Sequence, residues 1–167
     1  DNDVDIDIKN SLVIHKVDYG DDGFTGMITF KIQCKNEKRI ASSDGSLSGS
    51  AFFVSNKGHL VTNYHVVESC STNPKIYYKD KEMDAKLIAQ DKYLDLALLK
   101  TDVSKNNFLR ISDKPSSKLQ KIIAAGYPFG KYLSDDLKFT SGIISSLKGL
   151  NDDSTRMQID AALNPGN

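Results

Sequence analysis

The chain has 167 residues, with 22 Lys+Arg against 22 Asp+Glu, 39% hydrophobic and 8% aromatic residues, a globular composition sized for one domain or two small lobes. A net charge of zero with scattered lysines supplies no positive field for nucleic acid or an anionic membrane, so nucleic acid is excluded as the expected partner. The longest apolar runs, such as Ala51 to Val54 and Leu96 to Leu99, fall far short of the roughly 18–20 residues of a membrane span.

Residues 1–26 are acidic and end in the turn signal Asp21-Asp22-Gly23, while Val4, Ile6 and Ile8 alternate with polar residues as a strand does. An arm or edge strand is expected there. Six short runs rich in β-branched and aromatic residues follow: Met27 to Cys34, Ala51 to Ser55, Leu60 to Thr62, Lys75 to Tyr78, Ala85 to Gln90 and Leu96 to Lys100. Polar clusters such as Ser55-Asn56-Lys57-Gly58 and Lys79-Asp80-Lys81-Glu82 separate them. Six closely spaced strands predict an antiparallel barrel lobe over residues 27–104. Residues 105–120 show no sustained period and contain Asn106-Asn107 and Pro115, as a connector would. Residues 121–167 form a second, partial lobe with three strands, Ile122 to Tyr127, Leu137 to Leu147 and Met157 to Asp160. Three strands cannot close a barrel. Helix is expected only in Val66 to Cys70 and parts of the connector.

A neutral imidazole is the usual proton acceptor for a hydroxyl nucleophile, which makes the three histidines candidates for a general base. His15 lies in the arm and reads as a solvated side chain, and His59 follows Lys57-Gly58 at a hairpin corner, where a ring commonly packs. His65 follows the strand Leu60-Val61-Thr62 through Asn63-Tyr64 and opens the turn Val66-Val67-Glu68. By position alone it is either a structural histidine or a base at a barrel edge. A base needs a carboxylate to set its tautomer, and Asp95, opening the apolar strand Leu96 to Leu99, is half-buried and in need of a partner. The run Asp160-Ala161-Ala162-Leu163-Asn164-Pro165-Gly166-Asn167 ends in a Pro-Gly turn. Such a turn can aim backbone amides at an anion, or be an ordinary turn. Cys34 and Cys70 read as two buried thiols or as one bridge in an oxidising compartment.

Six segments carry a resemblance: Ser48-Gly49-Ser50-Ala51-Phe52-Phe53-Val54, Thr62-Asn63-Tyr64-His65-Val66-Val67, Asp95-Leu96-Ala97-Leu98-Leu99-Lys100, Ala125-Gly126-Tyr127-Pro128-Phe129-Gly130, Thr140-Ser141-Gly142-Ile143-Ile144-Ser145 and the run from Gln158 to Asn167. In this order and spacing they resemble the protease domain of the HtrA/Do-like serine peptidases. The first 47 residues match poorly apart from the first strand.

The resemblance implies an all-β, trypsin-like fold of two six-stranded barrels, the second incomplete in this chain. It implies hydrolysis of peptide bonds in unfolded or misfolded polypeptides, with His65 as general base, Asp95 as its orienting carboxylate and Gly166 as an oxyanion-hole donor. Ala162 falls six positions before the expected nucleophile and, with Leu163, lines a pocket for small apolar side chains. The nucleophilic serine is expected immediately after Asn167, so this chain alone is expected to be inactive. A cysteine nucleophile is the alternative at that position, although Asn164-Pro165-Gly166-Asn167 resembles the serine branch. No cofactor or metal is implied. A homo-oligomer, a trimer, and a periplasmic or extracellular location are. In such folds Cys34 and Cys70 fall near each other and could be bonded. The competing reading is an inactive pseudoprotease or peptide-binding module on the same fold, against which the joint presence of His65, Asp95 and the Pro-Gly-Asn turn argues.

Overall fold

The computed structural model describes residues 29–35, 46–78, 81–103, 107–127 and 137–163. The N-terminal arm, with His15, lies outside them.

The strands of the first lobe are β1 (Thr29–Lys35), β2 (Ser46–Phe53), β3 (His59–Thr62), β4 (Lys75–Tyr78), β5 (Lys81–Asp84), β6 (Lys86–Asp91) and β7 (Leu96–Lys100). They form one antiparallel sheet in the order β5-β4-β1-β2-β3-β7-β6. Side chains on a strand alternate between faces, and the alternation is visible in what is buried. On β2, Gly49, Ala51 and Phe53 turn inward, and on β7, Ala97 and Leu99. With Ile32, Leu60 and Ile76, each 0% exposed, they build the core.

The sheet is rolled, which follows from its connectivity. Its two edges, β5 and β6, would lie about 29 Å apart in a flat sheet, six spacings of about 4.8 Å. Yet a single residue, the fully buried Ala85, joins Asp84 to Lys86, its N–H donating to Pro74 O at 2.9 Å. β5 and β6 are thus one bent strand that meets itself and closes six strands around the core. The sequence pattern marks Lys81-Glu82 as a separator, whereas both lie in β5. Their polar side chains are exposed on β5, so the strand lacks the apolar signal that marks a buried one.

One short helix, α1 (Tyr64–Val67), plugs an end of this lobe through Val66 and Val67. It comes close because β2 has Gly49 beneath it: a Cβ there would lie 2.8 Å from Val66 Cγ2. Cys70, just beyond, packs against the same core and is disulfide-bonded. The side chain of Cys34 lies outside the described residues.

Residues 107–120 form neither strand nor helix. Leu109 N–H donates to Phe53 O at 2.8 Å, and Leu119 N–H to Ile144 O at 2.8 Å, so the connector is stitched to both lobes. Among the described residues the second lobe is a sheet of order β10-β9-β8, made of β8 (Lys121–Gly126), β9 (Lys138–Ser146) and β10 (Gln158–Ile159). Ile144 is its fully buried side chain. The lobes meet where Tyr127, 5% exposed, donates its N–H to Ser50 Oγ at 2.8 Å.

Candidate active site

The β3–β7 register fixes the site. Thr62 lies opposite Ala97, so continuing the antiparallel count by two residues brings Tyr64 opposite Asp95, and Tyr64 N–H donates to Asp95 O at 3.1 Å. The sheet ladder has ended there. Asp95 takes a left-handed φ of 57°, which aspartate tolerates better than most residues, after a turn in which Leu94 N–H donates to Asp91 Oδ1 at 2.9 Å.

The Asp95 carboxylate meets His65 with both oxygens. Oδ1 accepts the His65 backbone N–H at 2.9 Å, and Oδ2 accepts Nδ1–H at 2.8 Å. An ionised carboxylate only accepts, so Nδ1 carries the proton and Nε2 is the basic nitrogen. The ring is 64% exposed against 25% for the Asp95 side chain, so the carboxylate is sheltered and the imidazole faces the solvent. Asn63 adds a contact that the sequence did not announce. Its Nδ2 donates to Asp95 O and to Asp95 Oδ2, each at 3.2 Å. Burial by itself would raise the Asp95 pKa, but the His65 amide, the His65 ring with its charge and the Asn63 amide together outweigh it and hold the carboxyl below its ordinary value.

His59 lies at the other end of β3, where its Nδ1 pairs with Ser55 Oγ at 2.7 Å. Burial first, then the Lys100 and Lys57 ammonium groups, hold it below the ordinary imidazole pKa. Ser55 Oγ also accepts N–H from Lys57 at 3.2 Å and from His59 at 3.4 Å, so this pair closes a turn.

Ala162 and Leu163 follow β10 and are exposed, Leu163 to 55%. The Ala162 carbonyl accepts the Thr140 hydroxyl at 2.8 Å. Gly166 lies outside the described residues. Asn63, Thr140 and Asp160 all sit inside motifs the sequence displays, but their partners are 32, 22 and 17 positions away. Only the strand register, Thr62 against Ala97, could have hinted at the first.

A rolled six-stranded lobe joined to a second β lobe, with a histidine–carboxylate pair at the end of the first that α1 covers, defines a trypsin-like peptidase scaffold. Residues 49–167 match the trypsin-like peptidase domain family, and the chain belongs to that family, in its HtrA/Do-like branch. It is 40% identical over 127 residues to the "Probable periplasmic serine endoprotease DegP-like" of Rhizobium meliloti, covering 71% of this chain and 24% of that protein. It is 37% identical over 130 residues to "Protease Do-like 1, chloroplastic" of Arabidopsis thaliana, covering 72% and 29%. The solved structure of the HtrA-type protease AlgW with tripeptide matches with a TM-score of 0.64 at 29% identity, over 84% of this chain and 44% of that one. The chain thus spans under a third of the length of these two curated relatives.

Proposed function

We propose that the chain supplies the base and its orienting carboxylate to a serine endopeptidase that cleaves unfolded or misfolded polypeptides. The observation that carries this reading is the two-point contact of Asp95 with His65, 2.8 Å at Nδ1 and 2.9 Å at the backbone amide. It holds the ring in the one tautomer that leaves Nε2 basic.

In this mechanism a serine following Asn167, outside this chain, gives its hydroxyl proton to His65 Nε2 as its oxygen bonds to the substrate carbonyl carbon. Asp95 stabilises the imidazolium that results. The Gly166 N–H and the serine's own N–H hold the tetrahedral oxyanion, where removing one donor costs about 3–4 kcal/mol of transition-state stabilisation. His65 then returns the proton to the leaving amine, and water releases the acyl group by the same route. Ala162 and Leu163 wall a primary pocket suited to small apolar side chains, since neither offers a carboxylate to pair with substrate Arg or Lys.

The first lobe spans residues 27–104, the connector 105–120 and the second lobe 121–167, after an arm at 1–26. The partner of Cys70 is Cys34, the one other cysteine of the sequence, and a structural disulfide favours a periplasmic or extracellular workplace. The Rhizobium relative's name supports the periplasm. Family likeness supports a homo-oligomer, a trimer.

The test uses the full-length protein, including the segment after Asn167, on an unfolded polypeptide substrate. His65→Ala should lower kcat by about 10⁴-fold or more while leaving the circular dichroism spectrum unchanged. Undiminished hydrolysis would move the base elsewhere, and a wild type inert toward every peptide would favour the pseudoprotease.

A further inference from the structure

β10 contains only Gln158–Ile159, yet the chain beyond it stays tied to β9. Asp160 N–H donates to Ile143 O at 3.2 Å, and Asp160 Oδ1 accepts Ile143 N–H at 2.6 Å. The side-chain oxygen thus stands where a strand carbonyl would continue the ladder, which frees the backbone to turn away at Ala161. Gly142 leaves the room for that turn: a Cβ there would overlap Asp160 Oδ1 and sit 2.5 Å from Ala161 N and 2.8 Å from Ala161 Cα. Two residues earlier on the same face of β9, the Thr140 hydroxyl reaches across to the Ala162 carbonyl at 2.8 Å. The segment is therefore held at both ends, by Asp160 and by Thr140, around the buried Ala161.

The two ties differ in number and partner. Asp160 is bound to the β9 backbone through both its amide and its carboxylate, whereas Ala162 is held by the single Thr140 hydroxyl, on an exposed side where water can replace it at the Ala162 carbonyl. Losing it therefore changes where that carbonyl sits more than whether the lobe folds. Taking Ala162 and Leu163 as the pocket wall, the reading proposed above, we infer that Thr140 is a positioning residue for substrate selection. Its hydroxyl fixes the Ala162 carbonyl, and with it the pocket wall. Selectivity is set from β9 as well as from the side chains that line the pocket.

The experiment compares full-length wild type, Thr140→Val, which keeps the shape and loses the hydroxyl, and Thr140→Ser, which keeps the hydroxyl. Peptides with Ala, Val, Leu or Arg before the scissile bond give kcat and KM, and hydrogen exchange reports on residues 160–163. Thr140→Val should speed exchange of that segment about fivefold, the factor for one net hydrogen bond, and change the Val-to-Ala ratio of kcat/KM at least about threefold. Thr140→Ser should restore both to within about twofold. A Thr140→Val protein with unchanged exchange at 160–163 overturns the tie. Faster exchange with all four substrates falling in proportion overturns the role in selection. If wild type cleaves none of the peptides but exchange responds as expected, the peptidase reading fails and the role in selection with it, while the structural tie stands.

Discussion

Among the described residues of this chain, the two lobes differ in how much apolar surface they bury. In the first, ten buried apolar side chains from six strands and α1 pack into one cluster, and the edges of the sheet meet at Ala85. In the second, Ile144 is fully buried, but Ile123, Phe139, Leu147 and Leu150 are 46%, 50%, 41% and 82% exposed. Among the described residues its order rests on polar ties: Asp160 to Ile143, Thr140 to Ala162, Gln158 Nε2 to Lys148 O at 3.2 Å and Thr155 Oγ1 to Asp153 Oδ1 at 2.6 Å. His65 and Asp95 both belong to the densely packed lobe, while Ala162 and Leu163, the proposed pocket wall, belong to the other. The difference teaches that the His65–Asp95 contact is braced by a buried core, whereas residues 160–162 are set by hydrogen bonds to β9.

The sharpest way to break this contrast is a matched pair of truncations. Phe53→Ala in the first lobe should lower unfolding stability by about 3–5 kcal/mol. Ile123→Ala, on the face of β8 that is exposed in this chain, should change the stability of the 167-residue chain by no more than about 0.5–1 kcal/mol. Equal losses in urea melts would mean that the second lobe is packed as tightly as the first.

The disulfide comes next in size. Cys34 and Cys70 are 36 positions apart in the sequence, and a bridge over that loop contributes about 3.5–4 kcal/mol in the chain-entropy estimate. Reduction or Cys70→Ser should lower the first lobe's denaturation midpoint accordingly, and thiol titration of the unfolded, unreduced protein should find no free thiol. Two thiols per chain would remove the bridge from the account.

Acid should act on the first lobe through Asp95. Its carboxyl titrates below the ordinary value of 3.8 in the folded protein, so the unfolded chain takes up the proton first as pH falls. The stabilisation is therefore complete above about pH 4 and is lost below it as the folded carboxyl titrates. In melts between about pH 2 and 6, wild type should fall toward Asp95→Asn only in the acid range. A gap between them that stays constant over the whole range would show that His65 and Asn63 do not hold the carboxylate ionised.

The smallest effect expected is at the seam. Ser50→Ala removes the acceptor of Tyr127 N–H, a loss of about 1 kcal/mol, and should speed exchange of the Tyr127 amide while leaving amides of β3 and β7 unaffected. Uniform acceleration would show that Ser50 stabilises the first lobe as a whole.

Much of this protein was legible in its residues because it rests on patterns that are local along the chain. Six apolar runs between polar clusters specify six strands, and six motifs in order specify the family. His65 and Asp95 stood out because each sits where an apolar strand begins or ends. The exposed, charged β5 was not legible, since its place comes from closing the sheet rather than from its own side chains. Nor were the partners of Asn63, Ser50, Thr140 and Asp160. Residues 63 and 95 meet because β3 lies beside β7, 50 and 127 because the lobes abut, and 140 and 162 because Gly142 admits a turn. The sequence alone determined which side chains are available for chemistry. The tertiary structure decided which of them share hydrogen bonds, because a contact between residues 17 to 77 positions apart depends on register and packing that no local pattern encodes.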